Sequence, residues 1–330
     1  MKNLQELFTL VVPVRERHFN LPSIIGYYKN QPYRKIIYDA STKRYDGDLA
    51  DFEYHHSGPE FQHQSYLKAY KMVRTPFLIN CPDDDIMTHD SIEKCVNFLH
   101  ENEQYAACDG EVVEWDPYTN KTNSERKPEV CKSRIVHDWD LDNVLQRVNF
   151  GVVESSRSCC HSFLRTKDAI EIMENFMQNK QICPISFLDR VYTFATLCKG
   201  PIKTLPIVQH IRTSNSRPNS DRNMNYEDIA KEDWNGYGLK AHIAMEDNLD
   251  DNHVSCFSHF LQKETKMSQQ EALDWTIQLY KKHFRIRREN GGGGYFGEKI
   301  DTNHIQMPCK QEKFANIVRE ATKCMRIGDK

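Results

Sequence analysis

The chain has 330 residues, 39% of them hydrophobic and 28% charged, with 44 basic against 47 acidic side chains and a formal net charge of −3. That composition fits a soluble globular protein with one large domain, or a core domain carrying an appendage, and the near-balance of charge gives no general reason to expect a nucleic-acid partner. No stretch approaches the ~20 apolar residues that cross a bilayer, and Met1 to Glu6 lacks the basic start and long apolar core of a signal peptide. The sequence therefore predicts a cytoplasmic protein, one that could still rest against a membrane. Its 11 cysteines follow no C-x-x-C spacing and are expected to be reduced and buried.

In chain order, Leu7 to Val12 is a β-rich apolar run closed by Pro13, and Asn20-Leu21-Pro22 starts a helix with proline at an early, tolerated position. A second strand is predicted at Lys35 to Tyr38, stopping at Asp39-Ala40-Ser41. A helix follows over Glu60–Arg74, then a third strand over Phe77–Cys81. The apolar spacing of Ile92, Cys95, Val96 and Leu99 predicts a helix over Ser91–Asn102, and Tyr105–Trp115 reads as a strand. This alternation implies an α/β fold with a mainly parallel sheet flanked by helices, in which ligands bind beyond the carboxyl ends of the strands.

The second half is less regular. Residues 116–135 read as a polar loop, Cys159–Arg165 as a strand, Lys167–Gln178 and Phe187–Cys198 as helices, and Ile202–Ile211 as a strand. Thr213 to Asn225 is rich in Ser, Asn and Arg and reads as flexible. From about Ala241 the chain is helical in character, with a break at Gly291–Gly294. Gly292 to Gly297 matches G-x-G-x-x-G but follows a charged run, not a strand, so a linker is the better reading.

The acidic triplet Asp83-Asp84-Asp85 directly follows the third strand. Adjacent carboxylates repel unless a cation offsets them, and oxygen donors of this type suit Mn²⁺ or Mg²⁺ bridging to a diphosphate. A solvated turn leading into the next helix is the bland alternative. Asp39 could bond a nucleobase or ribose, or simply shape an Asp-Ala-Ser turn. Arg15 and Glu16 follow the first strand. Lys68 shares a helix face with Gln64 and Lys71 and could reach a phosphate, although a solvated face explains it as well. His210 ends a strand ahead of Arg212, Arg217 and Arg222; imidazole could complete a metal shell and arginines could grip a diphosphate. Asp189, near a helix start, could act as a general base or pair with Arg190.

Val11-Val12-Pro13-Val14-Arg15, Ile36 to Ser41 and Asp83-Asp84-Asp85-Ile86, with Phe98-Leu99, Asn102, Tyr105 and Gly110, resemble the GT-A (Rossmann-like) glycosyltransferases, and more narrowly those of bacterial capsule and lipopolysaccharide loci. The likeness is fullest over residues 7–115 and thins to about 215. It implies a 1–225 transferase domain, with a nucleotide-sugar half (1–115) and an acceptor half (116–225), and a helical C-terminal extension (226–330). Pro13, Arg15, Glu16, Asp39, Lys68, Asp83, Asp84 and Arg212 would hold the donor, a UDP-sugar first among candidates. Asp85 and His210 would ligate the metal, with Asp83 beside them on the cation or the ribose. Asp189 looks like the base of inverting members, though Leu188 stands where an acid is usual. The acceptor would be a glycan or lipid-linked glycan, and the C-terminal helices could serve a homodimer or a peripheral membrane contact. A sugar-1-phosphate nucleotidyltransferase is disfavoured because no glycine follows the first strand before Gly26. A non-catalytic scaffold is disfavoured because it has no need of three mutually repelling acids.

Overall fold

The structure, a computed structural model, describes residues 3–116, 129–134, 139–154, 159–178, 188–213 and 251–289. After a helical turn α1 (Leu4–Leu7), β1 (Phe8–Val14), α2 (Leu21–Tyr28), β2 (Arg34–Asp39), β3 (Glu53–His56), α3 (Gln62–Met72) and β4 (Phe77–Asn80) alternate. A two-residue strand β5 (Ile86–Met87), α4 (His89–Glu101), β6 (Ala107–Asp116), β7 (Glu129–Arg134) and α5 (Val144–Asn149) come next. The order closes with β8 (Phe163–Arg165), α6 (Thr166–Gln178), α7 (Leu188–Lys199), β9 (Ile202–Thr213), α8 (Asp251–Glu264) and α9 (Gln269–Glu289).

Nine strands form one sheet in the order β3-β2-β1-β4-β8-β6-β9-β5, with β7 added beside β6. Its first half is parallel throughout, and β6 pairs with β9 in a further long parallel ladder. The shorter β8 and β5 run antiparallel to their neighbours. Alternation along β1 sends Leu10, Val12 and Val14 to one face and Val11 to the other. The first face is covered by α2 and α4 through Leu21, Ile24, Ile25, Ile92, Val96 and Leu99. The second is covered by α3, α6 and α7, and α8 and α9 share its core through Phe257, Phe260, Leu273 and Tyr280. The result is the expected α/β sheet layered between helices. No helix among the described residues is long and apolar enough to cross a membrane.

Several elements differ from the sequence reading. The stretch 116–135 is not wholly a loop, because Glu129–Arg134 pairs antiparallel with β6. The strand expected over Cys159–Arg165 shortens to Phe163–Arg165. Ser162 N–H donates to the Cys159 carbonyl at 3.1 Å, which makes the first residues a turn. β3 and β5 went unread, the first for its polar Glu-Tyr-His-His sequence and the second for its length. The segment 214–225 with Arg217 and Arg222, and the Gly292–Gly297 motif, lie outside the described residues.

Candidate functional site

The site forms where β1, β2 and β4 end. Parallel register sets Val14 beside Asp39 and Val11 beside Asn80, so the chain leaves the three strands along one edge. Beyond Pro13 and Val14, Glu16 takes a left-handed conformation (φ 56°), an uncommon state for a residue with a side chain and one held by its surroundings. Glu16 N–H donates to Ser41 Oγ at 2.7 Å, and its carboxylate accepts from Thr42 N–H and Oγ at 2.5 and 2.6 Å. The first strand end is thereby stapled to the second. Arg15 is half-buried at this bend.

Asp39 is fully buried and takes donors on both oxygens: Ser41 N–H at 2.9 Å on Oδ1, and Tyr54 hydroxyl at 2.5 Å on Oδ2. His18 Nε2 is hydrogen-bonded to Oδ2 at 2.8 Å. Burial alone would raise this carboxyl, but the bonds from Ser41, Tyr54 and His18 hold it below the ordinary range. Around it, His18 meets Tyr45 edge-on at 5.5 Å and Arg44 lies over the Tyr54 ring at 5.2 Å. The tight turn expected of Asp-Ala-Ser is present, and the same carboxylate gathers Tyr54 and His18 about it.

The triplet occupies the turn after β4, closed by Asp85 N–H donating to the Pro82 carbonyl at 3.2 Å. Two of its acids share one partner and the third has another. Arg17 forks across two of them: Nε donates to Asp83 Oδ2 at 3.0 Å and Nη1 to Asp84 Oδ2 at 2.9 Å, while Nη2 reaches both Asp83 and Asp84. Burial pushes the Asp83 carboxyl up to about 7 despite Arg17, with Asp84 adding to the rise. Asp84 is raised too, by burial and by Asp85. The Arg17 guanidinium, although burial works against its charge, is held charged by the two carboxylates.

Asp85 is oriented instead to His210, with Oδ2 to Nε2 at 2.8 Å. Burial opposes the Asp85 carboxylate, but His210 first, then His161 and Arg212, keep it below its usual range. β9 brings His210 there: Met87 pairs with His210 and Ile86 with Ile211 in the short antiparallel β5–β9 ladder. Thr88 fixes the crossing, its N–H donating to the Gln209 carbonyl at 2.8 Å and its Oγ1 to the Val208 carbonyl at 2.5 Å. The His161 ring lies 5.3 Å from that of His210, with Nδ1 hydrogen-bonded to the Asn80 carbonyl at 3.2 Å. The buried Gln209 side chain steadies this loop, donating through Nε2 to the His161 carbonyl and accepting from Gly110 N–H at 2.7 Å.

The structure brings Asp39, the triplet, His210 and Arg212 near one another, and adds Arg17 and His161, which the sequence does not single out. Arg17 sits in a charged run, Arg15-Glu16-Arg17, in which spacing does not say which side chain turns inward. His161 lies in a turn that was read as strand. Lys68 takes the Glu60 carboxylate, and its side chain is otherwise exposed. The side chain of Asp189 lies outside the described residues; the backbone places it in the first turn of α7.

A divalent cation finds a fitting pair here. Asp85 Oδ2 and His210 Nε2 lie 2.8 Å apart and are an oxygen and a nitrogen donor of the types that would hold Mn²⁺ or Mg²⁺. Asp83 does not complete a third ligand, since both its oxygens are in the Arg17 fork. Among the described residues no three His, Cys, Asp or Glu side chains are already gathered around a metal position, so a cation on this pair would draw its remaining ligands from substrate and water.

No protein-family model matches the sequence, and no curated protein matches it. Solved structures with a similar chain course include Staphylococcus aureus TarS: one crystal structure at TM-score 0.40 and 10% identity, covering 83% of this chain and 54% of that one. The TarS 1–349 fragment superposes at TM-score 0.42 with UDP-GlcNAc (12% identity, 86% of this chain, 92% of that one). With UDP it superposes at 0.43 (11% identity, 89% and 94%). The chain thus spans about half of the longer TarS chain. Likeness at this level fixes no residue of the site.

Proposed function

We propose that the protein is a divalent-metal-dependent glycosyltransferase that moves a sugar from a nucleoside-diphosphate sugar, a UDP-sugar first, to the hydroxyl of a glycan or lipid-linked glycan in bacterial surface-polysaccharide synthesis. The observation that carries this reading is the pairing of Asp85 with His210 at 2.8 Å, beside Asp83 and Asp84, at the strand edge that also holds Asp39. A nucleoside diphosphate calls for polar partners to its base or ribose beside a cation site for its phosphates, and this layout suits both.

Asp39 with Tyr54 and His18 would receive the base or ribose, and the Pro13–Glu16 segment would line its other side, where Glu16 is already strained into place. Asp85 and His210 would hold Mn²⁺ or Mg²⁺, which when bound offsets charge on the departing diphosphate. Arg212, exposed beside Asp85, would add a guanidinium to the same oxygens. Asp189 would take the acceptor proton, giving a single displacement with inversion.

The test is nucleotide-sugar turnover and UDP or GDP thermal shift with and without Mn²⁺, in wild type and Asp85→Ala. Metal-dependent turnover should disappear in Asp85→Ala while the fold persists. Full activity in that variant, or no nucleotide shift at any Mn²⁺ concentration in the wild type, would overturn the reading.

A further inference from the structure

Arg17 lies at the centre of the site without a task in the scheme above. Its guanidinium spans two carboxylates with donors to both oxygens of each, the same fork geometry with which arginine grips a diphosphate. An arginine so placed lowers the charge that the triplet offers to an external cation. It also sits where an incoming anion would compete for it.

We propose that Arg17 couples cation binding to nucleotide binding: in the empty site it neutralises Asp83 and Asp84, and on nucleotide entry its fork passes to the diphosphate oxygens, leaving the carboxylate charge to a divalent cation at Asp85 and His210. This rests on the proposed function and adds to it a residue that orders loading. The geometry supports a side-chain swing on a fixed base. Arg17 follows Glu16, whose backbone and carboxylate are pinned to Ser41 and Thr42. The Arg17 side chain is 31% exposed, whereas that of Asp83 is 0%. Asp83 is therefore an enclosed partner, with Asp84 less so at 19%, and the arginine reaches solvent. By linkage, nucleotide must then raise cation affinity by the same factor as cation raises nucleotide affinity.

The experiment is calorimetric titration of MnCl₂ into the full chain, alone and with saturating UDP or GDP. It compares wild type, Arg17→Gln and Arg17→Lys, each checked for folding by its circular-dichroism melt. In the wild type, nucleotide should tighten Mn²⁺ binding at least about tenfold, within the usual range of coupling between sites. Without nucleotide, Arg17→Gln should bind Mn²⁺ about tenfold more tightly than wild type, as expected on removing a positive charge held by the carboxylates next to Asp85. Its nucleotide coupling should shrink to about threefold or less, since it can no longer exchange partners. Arg17→Lys keeps the charge and loses the fork, so its affinity without nucleotide should stay near wild type and its coupling should fall.

Unchanged Mn²⁺ affinity in a folded Arg17→Gln, or wild-type coupling in either variant, overturns the proposal. Should Arg17→Gln not fold, the coupling in Arg17→Lys decides. A wild type that binds neither UDP nor GDP, with or without Mn²⁺, sinks the donor-site reading and this inference together. Metal-coupled nucleotide binding that does not depend on Arg17 sinks this inference alone.

Discussion

Asp39 accepts Ser41 N–H on one oxygen and is bonded to Tyr54 and His18 on the other. Asn in its place keeps the shape but sets an amide against at least one donor, a change that costs about 1–3 kcal/mol. The carboxyl is held low in the fold, by bonds that outweigh burial. A depressed carboxyl stabilises above its unfolded value, about 3.9, and that stability is lost as pH falls through the folded value. The deficit of Asp39→Asn should therefore be largest near pH 6 and shrink by pH 3, as read from urea unfolding at both. An equal deficit at the two pH values would mean that charge is not its source. Asp39 was legible from its place after an apolar run, as were Asp85 and His210. The triplet's need for a cation was legible too, but the identity of the nearby one was not. Repulsion among three acids follows from sequence; the Arg17 fork depends on the left-handed turn at Glu16, which no local pattern announces.

Two-residue β5, whose Met87 pairs with His210, brings the preceding Asp85 within reach of that ring, and it is secured on both flanks. β9 pairs on one side, and on the other the buried Tyr28 hydroxyl donates to the Met87 carbonyl at 3.0 Å and accepts from Met87 N–H at 2.7 Å. Tyr28→Phe removes both bonds and strands a buried backbone pair, so it should lower stability by about 1–3 kcal/mol. It should also weaken the Mn²⁺ binding proposed for this pair, as measured by titration; a metal affinity equal to that of the wild type would show that β9 alone aligns the pair. Gly110 is the second constraint. A Cβ there would lie 2.5 Å from the Ile207 carbonyl oxygen, across the β6–β9 ladder. Gly110→Ala must push β9 away and should cost about 1–3 kcal/mol by overpacking, visible as a lower melting temperature. Long, amphipathic or apolar elements such as β1, β2, α4 and α6 were legible because periodicity carries over many residues. β3, β5 and β7 were not, because short or polar edge strands draw their pairing from the sheet rather than from their own pattern.

At the scale of the molecule, α8 and α9 are part of the main core. Phe257 packs 5.4 Å from Phe194 of α7 and 5.0 Å from Tyr280 of α9, and Lys263 reaches Glu171 of α6 at 2.7 Å. Phe257→Ala should cost about 3–5 kcal/mol and lower one transition shared by far-ultraviolet signal and nucleotide binding. Two separate transitions would instead mark the C-terminal helices as an independent unit. The helical character of this region was legible, but its docking partner was not, since an apolar stripe does not name the surface that covers it.

Asp85 and His210 stand 125 residues apart in sequence, and β9, which carries His210, lies between β6 and β5 in the sheet. Closing a loop of that length precedes any reward from the contact. The proposed cation affinity would thus be a property the chain acquires only once β9 has joined the sheet. In a refolding experiment, recovery of Mn²⁺ binding should trail the return of helical signal, and the metal would serve as a clock for the final strand.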